Sequence, residues 1–352
     1  MMSARFLTVV LERAFNMRDG FGREIDYMRI SVIDSCNLNC YYCNPCDNNE
    51  HCHALNILSV KEVLCIVRAA TRLGIKHFRL TGGEPLLHPQ LDEMVLQIKK
   101  IPGVSSVSLT TNAVLLAQHA KWLKEAGIDS INVSLDTIDA SEYERITKKP
   151  LLEEVKHGIN AAIECGIRVK INVVLTPQTD VVALTRYVAK KGTDIRFIEM
   201  MPVGEGHTNG VEPYKKVIGT LSKLYGEPCR INTEKTKEIN SGNDKRKIPD
   251  NGPAEYYIFP ELGIRVGLIQ AIHGKFCDTC NRIRVTADGR LMPCLGSSVT
   301  MDLVPDSWDF ADDVEKDFAI VRALRAAIKA KPRCHNFNDN AVTYTKTTET
   351  KT

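Results

Sequence analysis

Between Tyr27 and about Met200 the chain repeats one pattern six times: a short apolar run, then an amphipathic stretch of helical period. The runs are 27–33, 77–81, 104–110, 130–135, 169–175 and 195–200. Strands joined through helices lie parallel with right-handed crossovers, so this alternation predicts an α/β fold around a parallel sheet. Ser59-Val-Lys-Glu62 has the form of a capping box. Val60, Val63, Leu64, Val67, Ala70 and Leu73 follow at helical spacing, and Gly74 stands where a C-terminal cap belongs. Gly127 and Gly166 punctuate two more helix ends. Six units are two fewer than a complete (β/α)8 barrel needs; a partial, open barrel and a doubly wound sheet both fit.

After Pro202 the pattern changes. Residues 230–253 are charged and turn-rich, as expected of a solvated surface loop. A helix is expected from about Val314 to Lys331, and residues 336–352, with six Thr, are expected to be disordered. The chain therefore divides into an N-terminal extension (1–20), a main α/β unit (21–225), a C-terminal region (226–335) and a tail (336–352). Lys plus Arg number 46 against 43 Asp plus Glu, a formal charge of +3 that gives no support for nucleic-acid binding. Aromatic content of 6% argues the same way against a base-stacking platform. No apolar run approaches the roughly 20 residues of a membrane span. The stretch Phe6–Leu11 is too short for a secretory signal, so a cytoplasmic location and no membrane partner are expected.

In such a compartment thiols stay reduced, and twelve cysteines call for another explanation. Cys65, Cys165, Cys229 and Cys334 are scattered and read as small buried apolar residues. Cys36, Cys40 and Cys43 are clustered just after the first strand, where parallel sheets place their sites. Three close thiolates suit an iron–sulfur cluster, and since a cubane takes four ligands, three leave one iron open for chemistry. A zinc site completed by Cys46, His51, Cys52 or His53 is the alternative, and a redox dithiol a lesser one. Cys277, Cys280 and Cys294 form a second trio, which taken alone reads sooner as a zinc ribbon fragment completed by His273 or Cys334.

Cys36-x3-Cys40-x2-Cys43 resembles the signature of the radical S-adenosylmethionine (SAM) superfamily, and Thr81-Gly-Gly-Glu-Pro85 resembles its second mark. The second trio lies in a stretch, Phe276 to Leu295, that resembles the C-terminal cluster motif of the GTP 3′,8-cyclase family, which opens molybdenum cofactor biosynthesis. Asp19–Arg23, Tyr27–Ser31, Asn132–Thr137 and Arg196–Pro202 resemble further family motifs in order, with a weaker match at Lys331, Pro332 and His335.

The resemblance implies a partial (β/α)6 barrel of parallel strands whose open end is closed by the C-terminal region. It implies two [4Fe-4S] clusters, held by Cys36, Cys40 and Cys43 and by Cys277, Cys280 and Cys294, at opposite ends of one cavity. By the same resemblance Tyr42, Gly83, Ser134 and Met201 contact SAM, and Arg29, Arg79, Thr110, Lys170, Arg282, Ile283 and Arg284 contact GTP. The implied reaction cleaves SAM with a cluster electron; the 5′-deoxyadenosyl radical takes the ribose 3′ hydrogen, and the ribose carbon closes on C8 of guanine. No side chain is given a catalytic role beyond cluster and SAM. Implied partners are a flavodoxin-like electron donor, the cyclic pyranopterin monophosphate synthase that takes the product, and a second copy in a homodimer.

Arginine within a strand is costly unless its face lines a wet or ligand-filled interior, so Arg29 and Arg79 read either as phosphate ligands or as members of buried ion pairs. Lys170, in an otherwise apolar strand, points to a ligand, whereas Thr110 and Ser134 read by default as strand-end hydroxyls bonding backbone. Three features depart from the family: no Gly follows Gly296 where relatives end in Gly-Gly, Cys46, His51, Cys52 and His53 crowd one segment, and Asp34-Ser35 precede Cys36 where Arg is common. A two-cluster radical enzyme acting on another nucleoside or a peptide is the alternative function, and a zinc-stabilised scaffold the non-enzymatic one.

Overall fold

A computed structural model of the chain describes residues 17–43, 56–203, 206, 210–231, 252–297, 299–303 and 313–337. The crowded Cys46, His51, Cys52 and His53, most of the charged 230–253 stretch, and residues 338–352 of the tail lie outside the described residues.

One sheet of twelve strands organises the molecule: β1 (Tyr27–Ser31), β2 (His77–Thr81), β3 (Ser106–Thr111), β4 (Ser130–Ser134), β5 (Val169–Val174), β6 (Asp194–Ile198), β7 (Cys229–Ile231), β8 (Glu255–Ile258), β9 (Arg265–Ile269), β10 (Arg282–Val285), β11 (Arg290–Met292) and β12 (Met301–Asp302). Their spatial order is β12-β11-β10-β1-β2-β3-β4-β5-β6-β9-β8-β7. The six strands read from the apolar runs form the middle, all parallel, and β7 and β12 do not pair, so the sheet is open as a partial barrel requires. The C-terminal region adds to both edges. β9 pairs parallel with β6 and β10 parallel with β1, while β7, β8, β11 and β12 attach antiparallel.

The helices are α1 (Val60–Arg72), α2 (Leu91–Lys99), α3 (Leu116–Glu125), α4 (Ala140–Thr147), α5 (Leu152–Glu164), α6 (Val181–Lys190), α7 (Gly219–Tyr225) and α8 (Asp313–Lys329). Their apolar faces cover one side of the sheet, where Met28, Ile30, Phe78, Leu80, Val107, Leu109, Ile131, Val133, Ile171 and Phe197 are at most 1% exposed. α8 docks on α1 and is tied to it by Arg72 and Asp317 at 2.8 Å. It stops two residues short of the expected end, which frees Lys331 for another use.

α1 begins as the sequence predicts. Ser59 Oγ accepts from the Glu62 N–H at 3.3 Å, and the Ser59 N–H donates to the Glu62 carboxylate at 2.7 Å. Gly74, at φ +85°, ends the helix in a left-handed turn that a side chain would strain. Replacing Ser59 by Ala is expected to lower the unfolding free energy by about 1 kcal/mol, measured by urea denaturation.

Candidate active site

Strands β1 to β6 alternate. Their outward residues are apolar and face the helices; their inward residues are Tyr27, Arg29, Arg79, Ser108, Thr110, Asn132, Ser134, Lys170, Asn172 and Arg196, which line one cavity of about 260 Å³. Parallel strands buried on both faces are normally apolar throughout, so a polar inner row marks a hollow rather than a packed centre. Register sets Arg284, Arg29, Arg79 and Ser108 side by side across four strands. One step further along the strands stand Thr110, Asn132 and Lys170, and beyond those Ser134, Asn172 and Arg196.

The cavity holds cations with unused donors. Arg29 Nε, Arg79 Nη1 and Arg196 Nη2 are buried without hydrogen-bond partners. Among the described residues neither Arg29 nor Arg79 forms an ion pair, so the structural alternative read from the sequence is not what buries them. Arg79 Nε donates to the Tyr27 hydroxyl, and Arg196 Nε to Asn172 Oδ1 at 2.9 Å. Burial, then the charge of Arg284, pushes the Arg29 guanidinium well below its usual range. Tyr27 is buried, which favours its neutral form, but the charges of Arg79 and Arg29 outweigh this and hold its hydroxyl below the ordinary value. Lys170 is 5% exposed, with Nζ 5.8 Å from the centre of the Tyr256 ring. Buried, convergent guanidinium donors in surplus over carboxylates are matched by a polyanion such as a phosphate chain.

At the carboxyl end of β1 the first cysteine trio lies on a loop bracketed by Gly82-Gly-Glu-Pro85. The Gly83 N–H donates to Ile33 O and the Glu84 N–H to Ser35 O, both at 2.7 Å. A Cβ at Gly83 would stand 2.1 Å from Ser35 O and 2.5 Å from Asp34 O, so only glycine lets these two turns cross. The Glu84 carboxylate is 1% exposed and accepts from the Thr111 hydroxyl and the Asn112 N–H, each at 2.7 Å, and from the Leu86 N–H at 3.0 Å. Asn112 in turn donates to Asn37 Oδ1 at 2.7 Å and lies 3.8 Å from Cys36 Sγ. The Gly-Gly-Glu-Pro turn thus fixes the cysteine loop through two layers of hydrogen bonds.

The far side of that loop is anchored as well. The Asn39 and Tyr41 N–H groups donate to Thr147 O and Ile146 O at the end of α4. The Tyr42 hydroxyl donates to Asp136 Oδ2, and Asp136 Oδ1 accepts from the Val174 N–H at 2.7 Å. Burial pushes the Asp136 carboxyl up to about 6.

The thiols of Cys36, Cys40 and Cys43 are free; Cys43 adds to the electrostatic load on Cys36, and Cys43 and Cys36 add to that on Cys40. Burial, then the charge of Asp136, raises Cys40 to about 12; burial also raises Cys36 and Cys43. Three adjacent soft donors whose deprotonation the protein alone opposes fit a metal group that supplies the compensating positive charge.

The second trio is gathered by a hairpin. Cys277 and Cys280 precede β10, and Cys294 follows its antiparallel partner β11, so all three fall at the same end, opposite to that of the first trio. Lys331, 2% exposed, closes that end by donating through Nζ to Arg282 O and Pro293 O, both at 2.8 Å. Arg23 adds a second clasp: held by Asp19, it donates to the carbonyls of Cys277 at 2.6 Å, Pro332 at 2.6 Å and Arg333 at 2.8 Å. His335 Nε2 donates to Ala271 O at 2.7 Å, and its ring lies against that of Phe337.

Burial raises the Cys277 thiol; at Cys280 burial is outweighed by the charges of Arg282 and Lys331, which bring it down to about 7. His273, one zinc ligand considered from the sequence, is bound to the Glu199 carboxylate. Among the described residues no three His, Cys, Asp or Glu side chains close on a single metal ion. Replacing Lys331 by Met is expected to cost about 3 kcal/mol, the lower value of two bonds from a charged donor. The checks are a lower thermal midpoint and faster iron loss to a chelator.

Arg29, Arg79, Thr110, Ser134, Lys170 and Arg282 all line the cavity. Tyr42 reaches it through Asp136. Gly83 lies beneath the first loop, and Met201, half-buried, follows β6 outside the lining. Arg284 flanks Arg29, whereas the Ile283 side chain, 1% exposed, points the other way into the core. Sequence reasoning passed over Arg196, Asp136, Asn132 and Arg168, which share the cavity wall. The period-2 polar alternation of Ser130-Ile-Asn-Val-Ser134 along β4 is the signal that finds Asn132.

Comparison with known proteins agrees with this geometry. Residues 30–183 match the family described as Radical SAM superfamily, and residues 193–337 the family described as Molybdenum Cofactor Synthesis C. A GTP 3′,8-cyclase of Clostridium perfringens (strain SM101 / Type A) is 35% identical over 91% of this chain and 95% of its own length. A GTP 3′,8-cyclase of Pelotomaculum thermopropionicum is 36% identical over 91% and 95%, and one of Listeria monocytogenes serovar 1/2a 36% identical over 91% and 92%. Among solved structures, Streptococcus suis SuiB bound to S-adenosylmethionine shares the fold at a TM-score of 0.53, with 16% identity over 86% of this chain and 68% of that one. Native anSMEcpe with bound AdoMet does so at 0.52, with 16% identity over 84% and 82%.

Proposed function

The chain belongs to the GTP 3′,8-cyclase family, and from that premise we propose how its own residues carry out the family's reaction. The protein is a radical SAM lyase with two [4Fe-4S] clusters. It converts GTP to (8S)-3′,8-cyclo-7,8-dihydroguanosine 5′-triphosphate in molybdenum cofactor biosynthesis. The observation that carries the assignment is identity of about 35% along 91% of the chain, spanning both matched families. When bound, the first cluster and SAM together supply the 5′-deoxyadenosyl radical that takes the ribose 3′ hydrogen.

Cys36, Cys40 and Cys43 are the ligands of the first cluster, and Cys277, Cys280 and Cys294 those of the second. Tyr42, Gly83, Ser134 and Met201 bind SAM, with Asp136 fixing the Tyr42 hydroxyl. Arg29, Arg79, Lys170 and Arg282 hold the triphosphate, and the unfilled donors of Arg29 and Arg79 support this. Thr110 and the Arg282–Arg284 segment complete the GTP contacts. The apolar wall of α/β packing outside the polar inner row keeps bulk water from the reacting ribose.

Residues 21–225 form the barrel unit and 226–335 the C-terminal region bearing the second cluster. A flavodoxin-type electron donor, transfer of product to cyclic pyranopterin monophosphate synthase, a homodimer and a cytoplasmic setting complete the reading. Among the described residues no helix is long and apolar enough to cross a membrane. Anaerobic incubation of reconstituted protein with GTP, dithionite and SAM is expected to yield the cyclised triphosphate with one 5′-deoxyadenosine per product. Formation of 5′-deoxyadenosine while GTP stays unchanged rejects the substrate assignment.

A further inference from the structure

The level row of inward residues that holds Arg29 and Arg79 does not end at β3. Ser108 pairs with Ser130, and Ile131 with Val169, so Ser130 and then Arg168, the residue before β5, continue the row. The Ile131 N–H donates to Arg168 O at 2.9 Å, which fixes that register. All five residues line the same cavity. Arg29 and Arg79 enter it from β1 and β2, Arg168 enters it from the start of β5, and the two strands between carry only short serine side chains at this level.

The Arg168 side chain is 14% exposed, and its Nε and Nη2 are buried without hydrogen-bond partners. These two nitrogens form one edge of the guanidinium, the edge that can bind two oxygens of one anion at once. The carboxylates around it are engaged elsewhere. Asp194 Oδ2 stands 3.9 Å from Nη2, an ion pair without a hydrogen bond, and Arg265 holds that carboxylate through Nη2 and through Nε at 3.1 Å. Asp129, next to Ser130, accepts from the Val107 N–H at 2.7 Å and pairs with Lys99 at 3.0 Å. A buried fork of charged donors left unfilled is costly, and a ligand that fills it removes the cost.

We propose that Arg168 is a further phosphate ligand of the nucleotide, closing on the phosphate chain from across β3 and β4 against Arg29 and Arg79. The proposal rests on the reading of this cavity as the GTP site. Three guanidinium groups at one level of a cavity are matched by a chain of phosphates, which offers paired anionic oxygens on more than one side; the base and the ribose carry no formal charge to offset them. Arg168 thereby helps to make the site selective for the phosphorylated nucleotide over its nucleoside.

Binding of GTP and of guanosine to cluster-loaded full-length protein is measured anaerobically by equilibrium dialysis. Arg168→Met is expected to weaken GTP binding about 30-fold and guanosine binding by less than about twofold. Arg168→Lys keeps the charge but loses the planar fork, and is expected to weaken GTP binding about fivefold; it carries the test if the Met variant does not fold. A side chain with a merely structural role would move both ligands alike.

Equal losses for GTP and guanosine overturn the phosphate assignment. Unchanged GTP binding in both Arg168 variants, with Arg29→Met still weakening it, overturns the proposal and leaves the cavity reading intact. GTP binding that neither Arg29→Met nor the Arg168 variants alter overturns the reading beneath it as well.

Discussion

Arg29→Met is expected to weaken GTP binding by about 30-fold or more, the cost of truncating a buried charged ligand. The same substitution is expected to raise the thermal midpoint of the ligand-free protein. Both effects have one cause. Arg29 is half-buried beside Arg284, Arg282 and Arg79, its buried Nε has no partner, and its proton affinity is depressed first by desolvation and then by Arg284. A cation whose folded-state pKa is lowered is destabilising wherever it stays charged, and at neutral pH an arginine does. On the proposed reading of the cavity, the triphosphate relieves this repulsion. Methionine fills similar space without charge, and each kcal/mol recovered moves the midpoint by roughly 2–4 °C in a chain of this size. Thermal scans with and without GTP test the pair of effects together. A midpoint that falls in the absence of nucleotide sinks the anion-site reading of the cavity.

Gly83→Ala is expected to abolish turnover and to reduce bound iron by about half, the first cluster's share of the roughly eight irons in two cubanes. The new methyl carbon would meet the Ser35 and Asp34 carbonyls at 2.1 and 2.5 Å. These are backbone atoms of the cysteine loop, so relief requires the loop itself to move rather than a side chain to rotate. Overpacking of this kind costs about 1–3 kcal/mol even in compliant surroundings. Here the displacement also breaks the bonds from Gly83 N–H to Ile33 O and from Glu84 N–H to Ser35 O. Iron and sulfide analysis of the reconstituted variant is the check; full iron content with normal SAM cleavage contradicts the bracket described for this turn. The second trio should keep its iron, since Lys331 and Arg23 hold it from elsewhere.

The six central strands were legible because their outward residues are apolar runs, and α1 because its cap, spacing and terminal glycine all agree. The two cysteine trios were legible from spacing. β9 and β10 were not. Each is short and rich in Arg or Gly, and β10 coincides with the Arg282-Ile-Arg-Val285 stretch, whose charges suggest a ligand site before they suggest a strand. The cavity cations were half visible: Arg29 and Arg79 stand out as charges within apolar strands, whereas Arg196 and Asp136 gain meaning only from register. Lys331 shows the same limit from another side. Periodicity placed it in a helix, but the helix ends at Lys329 and the side chain turns back to the hairpin, a contact with no local signature.

The pairing of β10 with β1 also acts as a ruler. Tyr27 stands level with Arg282 and Ile30 with Val285, so one sulfur trio lies just before the start of this two-strand segment and the other just beyond its finish. Backbone pitch fixes the length of that segment: four extended residues span about 13 Å. Hydrogen-bonded ladders cannot stretch, so on the proposed reading the sheet sets the gap that a substrate between the two trios must match. Molecules shorter than that gauge can occupy one terminus but cannot bridge both.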